Sequence, residues 1–274
     1  MQKGAAVVKT LWAVSDLHTS VAANADMLDT LQPRNPGDWL LVAGDVAEKN
    51  QTVLRTLATL RQRFHTVVWS PGNHELFSQG SGEPHGREKY EELVRGCREL
   101  GVLTPEDPFA RFGDVTVVPL FTLYDYSLRP KGTTVEQALH AAKRKEVMFS
   151  DELFIAPFVD IRGWCWERLS YSVNRVGRVE GPTVLMNHWP LEPQLAQALG
   201  VPEMAMWCGT KHTKGWAERY NARAVVYGHL HLPSRTTIAG VPHIEASLGY
   251  PKQWRDSITK RQWPVPVLEV PDGA

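Results

Sequence analysis

The sequence predicts an α/β fold with a largely parallel sheet, and two observations carry that expectation. Short apolar runs of β-forming residues recur along the chain with helical spacing between them, and five of these runs end in a cluster of Asp, His or Asn. The runs are continuous rather than alternating, as in strands covered on both faces, and helices between them imply right-handed crossovers. Ligands in such sheets bind beyond the carboxyl ends of the strands, so the clusters are expected to meet at one edge.

The first run is Leu11-Trp12-Ala13-Val14-Ser15, which stops at Asp16-Leu17-His18. Residues 21–31 then read as a helix, closed by the turn-rich stretch 32–38. Residues 39–43 repeat the plan and deliver Gly44-Asp45, with helical spacing across Val53, Leu54, Leu57 and Leu60. Residues 66–69 give it a third time and end in Gly72-Asn73-His74-Glu75. Residues 78–87 are Gly-rich and expected to form a loop near the site; 88–100 read as a helix and 115–118 as a strand. Residues 121–165 break the pattern, with a helical stretch at 134–147, and are expected to be an excursion that caps the site. Residues 183–186 and 224–227 restore the plan, delivering Asn187-His188 and Gly228-His229-Leu230-His231.

Composition narrows the function. Lys plus Arg is 30 and Asp plus Glu is 30, so no net field steers the protein toward nucleic acid or an anionic membrane. No run approaches the roughly 20 apolar residues of a membrane span, and the N-terminal stretch around Lys3 and Lys9 lacks the apolar core of a signal peptide. With 274 residues, 43% of them hydrophobic, one or two domains are possible. The clusters run from Asp16 to His231, so one domain spanning 1–274 is expected. Cys97, Cys165 and Cys208 are odd in number and lack metal or redox spacing; they read as reduced thiols and point to a cytoplasmic protein.

In Asp16-x-His18 and His229-x-His231, alternation along extended backbone would aim both side chains the same way. Asp45 has two oxygens and is suited to bridge two cations, Asn73 offers an amide oxygen, and His188 with one of the last two histidines offers imidazole nitrogen. Mixed oxygen and nitrogen ligands suit Mn or Fe, with Zn also compatible, better than Ca or Mg. Two such ions about 3.5–4 Å apart stabilise attacking and leaving oxygens in phosphoryl transfer and generate the nucleophilic hydroxide themselves. His74, next to a proposed ligand, is the expected proton donor to the leaving oxygen. Glu75 is expected to brace or cap the loop. His65, His85, His140, His212 and His243 lack a partner at ligand spacing and read as surface or loop residues.

In this order, D-x-H, G-D, G-N-H-E, N-H and G-H-x-H resemble the calcineurin-like metallophosphoesterase family across most of the chain. The resemblance implies a four-layer αββα sandwich of two mixed β-sheets flanked by helices, so the simple parallel sheet is half of the architecture. Carried over by motif, it implies that Asp16, His18, Asp45 and His231 bind one metal and that Asp45, Asn73, His188 and His229 bind the second. Asp45 and His74 would be the catalytic pair. One departure is the absence of an Arg shortly after Gly44-Asp45, which sets the chain apart from the serine/threonine protein phosphatases.

Residues 38–45, 123–127, 207–210, 219–222 and 249–254 are similar to the bacterial phosphopantetheinyl hydrolases, which remove 4′-phosphopantetheine from acyl carrier proteins. This implies a phosphodiester on a carrier-protein serine as substrate, and substrate contacts from Tyr124 and Asp125. Trp189, directly after His188, and Trp207 are further candidates to line the pocket. The alternatives are a phosphatase for a phosphorylated metabolite and a non-catalytic scaffold. Degenerate scaffolds lose ligands or the catalytic His, and here all eight positions are present.

Overall fold

The computed structural model describes residues 8–271 other than 79, 81 and 148, so Lys3 and two positions of the Gly-rich loop lie outside the described residues. The strands are β1 (Val8–Val14), β2 (Trp39–Val42), β3 (Thr66–Trp69), β4 (Arg111–Phe112), β5 (Val115–Pro119), β6 (Thr183–Met186), β7 (Ala222–Tyr227), β8 (Ser234–Ile238), β9 (Val241–Glu245) and β10 (Val265–Pro271). They form two sheets. One has the order β10-β1-β2-β3 and the other β4-β5-β6-β7-β9-β8. In the first, β1, β2 and β3 are parallel and β10 runs antiparallel along β1. In the second, β5, β6, β7 and β9 are parallel between antiparallel edge strands β4 and β8.

The single parallel sheet read from periodicity is thus two mixed sheets stacked face to face. Leu11, Ala13, Leu41, Ala43 and Val68 of the first sheet pack on Val117, Val184, Met186 and Val226 of the second. The alternate residues Trp12, Val14, Leu40, Val42 and Trp69 turn the other way, into a core shared with Val53, Leu57 and Leu60 of the helix Asn50–Arg63 and Leu93 of the helix Gly86–Glu99. Both faces of β1, β2 and β3 are therefore covered. That is why the runs are unbroken rather than alternating.

The helices are α1 (Ala22–Asp26), α2 (Asn50–Arg63), α3 (Gly86–Glu99), α4 (Val135–Arg144), α5 (Asp151–Phe154), α6 (Ile161–Val176), α7 (Trp216–Arg219) and α8 (Pro251–Trp254). The helix expected over 21–31 is only one turn of α1, which tightens into a 3₁₀ turn at Met27–Thr30. In the excursion 121–165, Thr134 and Gln137 exchange reciprocal hydrogen bonds at the start of α4, so a capping box fixes where that helix begins. Helix α5 is held against the loop after β3, where Phe154 O accepts from Ser78 N at 3.0 Å.

His243 departs from its expected place at the surface. It sits in β9, fully buried, with neither ring nitrogen partnered, and burial holds its pKa down to about 4. The three cysteines are buried and unpaired. Among the described residues, no helix is long and apolar enough to cross a membrane.

Candidate metal centre

Three of the five clusters leave the first sheet and two leave the second, and all five meet where the strands end. Short backbone links hold the strand ends together there: Ser15 N donates to Ala246 O at 2.9 Å and Leu248 N to Ser15 O at 2.8 Å between the two sheets, while Asp16 N donates to Gly44 O and His18 N to Asp45 O at 3.0 Å each, joining the first cluster to the second. The turns are sharp. Asp16, His18, Asp45, His229 and His231 have φ of +52°, +42°, +57°, +71° and +54°, a region that side-chain-bearing residues rarely enter. Such conformations persist only where surrounding contacts over-determine them, and they gather at functional sites.

Glu75 supplies part of that determination. Its buried carboxylate accepts from the backbone N–H groups of Asp45, Val46 and Gly72 at 2.9, 2.7 and 2.8 Å, tying the second cluster to the third. Gly72 is required at this junction, because a Cβ there would fall on the Asp45 carboxylate and lie 2.8 Å from the His188 ring.

The side chains converge in two groups. Ligand atoms of Asp16, His18, Asp45 and His231 all lie within 4.8 Å of one another. His231 Nε2 is 2.9 Å from Asp16 Oδ1 and 3.2 Å from His18 Nε2. In the second group, His188 Nε2, His229 Nδ1 and Asn73 Oδ1 are mutually 3.1 Å apart. Asp45 Oδ2 stands 3.5 Å from His188 Nε2 and so joins the two groups.

Proton positions show what these groups fit. His188 Nδ1 donates to Ala43 O at 2.8 Å and His231 Nδ1 to Gln253 Oε1 at 2.9 Å, so in their neutral forms both Nε2 atoms carry lone pairs. Asn73 Nδ2 donates to Asp151 at 2.9 Å, which leaves Asn73 Oδ1 as an acceptor aimed at His188 and His229. His188 Nε2 and Asn73 Oδ1, both acceptors, therefore stand 3.1 Å apart with no proton between them. Divalent cations resolve such crowding, and the residues fit two of them with Asp45 shared.

Electrostatics agree. Burial holds His18 and His229 well below the usual histidine value and His188 at about 4, so all three favour the neutral form that a metal would require. Burial, then the charges of Asp16 and Glu75, push Asp45 well above the carboxylate range. Against the cost of burial, His231 keeps Asp16 well below it.

His74 faces the same space, with Nε2 3.9 Å from Asp45 Oδ2 and Nδ1 2.9 Å from Glu48 Oε1. The bond to His74 draws Glu48 down to about 2. Glu48 carried no role in the sequence; a carboxylate three residues after Asp45 in a ligand loop was the available signal. Ser247, which donates to Asp16 Oδ2 at 2.6 Å, lies outside every ligand motif and gave none, while Gln253, which orients His231, lies in the stretch 249–254 that carried the narrower resemblance without a role of its own. Burial raises Asp151 to about 7, although the Asn73 bond acts to lower it.

A cavity of about 460 Å³ opens onto Asp45, Asn73, His74, His229 and His231. Phe149, Leu199, Met204 and Leu232 give it an apolar side, and Tyr250, stacked on His18 with ring centres 4.4 Å apart, closes another. The residues expected to line it stand behind the wall. Tyr124 and Trp189 are fully buried, Asp125 pairs with His212 at 3.6 Å, and Trp207 stacks on Phe149 while donating to Glu152.

Comparison with known proteins agrees with this geometry. Residues 9–233 match the family described as Calcineurin-like phosphoesterase. The chain is 44% identical over 257 residues to [Acyl-carrier-protein] phosphodiesterase PptH of Mycobacterium tuberculosis, covering 90% of this chain and 79% of that protein. The crystal structure of phosphopantetheinyl hydrolase (PptH) from Mycobacterium tuberculosis superposes with a TM-score of 0.90 at 41% identity, covering 96% of this chain and 97% of that one.

Proposed function

The chain belongs to the calcineurin-like phosphoesterase family and hydrolyses phosphoric ester bonds, and on that premise we propose that it releases 4′-phosphopantetheine from a carrier protein with two bound divalent cations. The observation that carries the substrate assignment is the 44% identity to an acyl-carrier-protein phosphodiesterase over 90% of this chain. The cavity supports it. At about 460 Å³ it has the size of a small-molecule site, and its mixed wall suits an arm that alternates amides with apolar carbons.

Asp16, His18, Asp45 and His231 would hold one ion, and Asp45, Asn73, His188 and His229 the other. Nitrogen and oxygen donors together favour Mn or Fe, with Zn compatible. When bound, such a pair supplies Lewis-acid polarisation of phosphoryl oxygens and lowers the pKa of water at the site.

The protein's own groups handle the leaving serine oxygen. Glu48 accepts the Nδ1 proton of His74 and so turns Nε2 toward the cavity, where a protonated His74 gives its proton to the departing alkoxide. The Glu48 carboxylate stabilises the charge that His74 carries before transfer. The apolar wall holds the arm while its phosphate stays at the centre. Three buried, unpaired thiols support a reducing, cytoplasmic setting, and a site drawn from both sheets supports one catalytic domain along the chain.

The test is hydrolysis by Mn- or Fe-reconstituted protein of a holo-carrier protein against p-nitrophenyl mono- and diesters. Release of 4′-phosphopantetheine, with the carrier returned to its serine form, is expected. A carrier left intact while phosphorylated metabolites are hydrolysed would overturn the substrate assignment in favour of a metabolite phosphatase.

A further inference from the structure

We infer that Asp151, from the segment 121–165, is a positioning residue that selects which end of the Asn73 amide faces the second metal. The inference rests on the two-metal reading above.

An amide side chain presents two ends of nearly equal shape and opposite hydrogen-bonding character. As a metal ligand Asn73 is useful only with its oxygen inward. Its neighbour His188 does not enforce that orientation. His188 Nδ1 donates to Ala43 O, so His188 Nε2 is an acceptor and would take a hydrogen bond from an inward-facing NH₂ at 3.1 Å as readily as it tolerates the oxygen. Left to His188, the amide would turn its NH₂ toward the metal position.

Asp151 reverses the preference. Its Oδ1 lies 2.9 Å from Asn73 Nδ2, it is fully buried, and in its ionised form it only accepts. Flipping the amide would set the Asn73 oxygen against the Asp151 oxygen and leave two buried acceptors without a proton, the costly arrangement. With Asp151 in place, the NH₂ is claimed and the oxygen points at His188 and His229.

The surroundings fix Asp151 in turn. Its neighbour Glu152 accepts from Tyr126 Oη and Trp207 Nε1 at 2.7 Å each, and Phe154 O accepts from Ser78 N at 3.0 Å. Helix α5 is thereby tied to the residues around 126, to the loop around 207 and to the loop that follows Asn73. The excursion contributes to the metal centre itself as well as to its covering.

The test is Mn(II) titration of the metal-free full-length protein, with free Mn(II) counted by electron paramagnetic resonance. Wild type is expected to bind two ions. Asp151→Asn keeps the shape but offers both a donor and an acceptor to Asn73, so selection is lost; the second ion should weaken about 10–100-fold while the first changes little. Asp151→Ala should do the same. A carboxylate at position 73 needs no orientation, so Asn73→Asp in the Asp151→Asn background, where the new amide donates to it, should recover the second ion. Unchanged affinity for the second ion in Asp151→Asn, equal weakening of both ions, or no recovery in the double variant overturns the inference; should Asp151→Ala fail to fold, Asp151→Asn decides. A wild type that binds fewer than two ions overturns the two-metal reading instead.

Discussion

Glu48 Oε1 accepts a hydrogen bond from His74 Nδ1 at 2.9 Å, and that bond leaves His74 Nε2 3.9 Å from the Asp45 carboxylate that joins the two halves of the metal centre. A single half-buried carboxylate thus sets both the tautomer and the aim of His74, the proposed proton donor. The two residues come from different strand ends, and no local motif contains both.

Replacing Glu48 should therefore act through His74 rather than through the metals. Glu48→Gln is expected to slow phosphate esters with alkyl leaving groups about 10-fold or more, since a positioned proton donor contributes about 10²–10⁴-fold. p-Nitrophenyl esters, whose leaving group needs no proton, should be hydrolysed at near the wild-type rate, and metal content should stay at the wild-type level. Equal losses for both ester types would show that the pair does not act on the leaving oxygen.

Acid should release the metals and destabilise the fold together. Burial keeps His18, His188 and His229 below the ordinary value of 6.5, so they are neutral when folded and gain protons on unfolding once the pH drops below 6.5. Stability from these groups is present above pH 6.5 and declines as the pH falls toward the folded values. For His188, held at about 4, the loss amounts to about 3 kcal/mol on full protonation of the unfolded state. Because Asp45 acts in the opposite sense over the same span, thermal melts of metal-free wild type and His188→Gln from pH 7 to pH 4 check this; the variant should lose less stability on acidification, and an identical pH dependence in the two contradicts it.

Much of this centre was legible because ligand chemistry is written locally. Asp16, His18, Asp45, Asn73, His188, His229 and His231 each follow an apolar run directly, so one strand end announces one cluster, and the structure brings all seven together. What periodicity concealed was the division between sheets: Leu11 and Trp12 are equally apolar, yet one packs on the second sheet and the other on helices. Residues acting through long-range contacts left no pattern at all. Ser247 reaches Asp16 across 231 positions, and Asp151 reaches Asn73 across 78, each fixed by tertiary packing alone. Trp189 shows the converse error. Adjacency to His188 in sequence suggested the pocket, but the Trp189 ring is fully buried, packed against the His188 and His229 rings with centres 5.0 and 5.9 Å away, behind the cavity wall.

The apolar side of the cavity should govern recognition of the arm rather than chemistry. Leu232 lines it at the rim and is 41% exposed, so Leu232→Ser removes apolar surface with little effect on folding. The expected outcome is a KM for holo-carrier protein raised about 3–10-fold, from partial loss of a burial worth about 1.5–3 kcal/mol when complete. The kcat should hold, and kinetics on p-nitrophenyl phosphate should be unchanged. A matching rise in KM for that small ester would place the effect at the phosphate, not the arm.

Asp45 is where the demands of metal binding and of folding oppose each other most directly. Burial and the charges of Asp16 and Glu75 raise its folded pKa well above the ordinary 3.8. Between those two values the folded state holds the proton more tightly than the unfolded chain, so stability falls as the pH rises through that window and the full penalty is present above it. Bound cations reverse the balance by meeting the carboxylate with positive charge. Asp45→Asn keeps an oxygen for the His74 N–H, now 2.9 Å from Asp45 Oδ1, while removing the charge. The metal-free variant is expected to melt at least about 2 °C above metal-free wild type at neutral pH, the shift of roughly 1 kcal/mol in a chain of this size. In the presence of Mn(II) the order should invert, because wild type gains two ions that the variant binds weakly or not at all, and nearly all activity should be lost with them. A variant that melts below wild type in both conditions would show that the Asp45 charge stabilises the protein even without a cation.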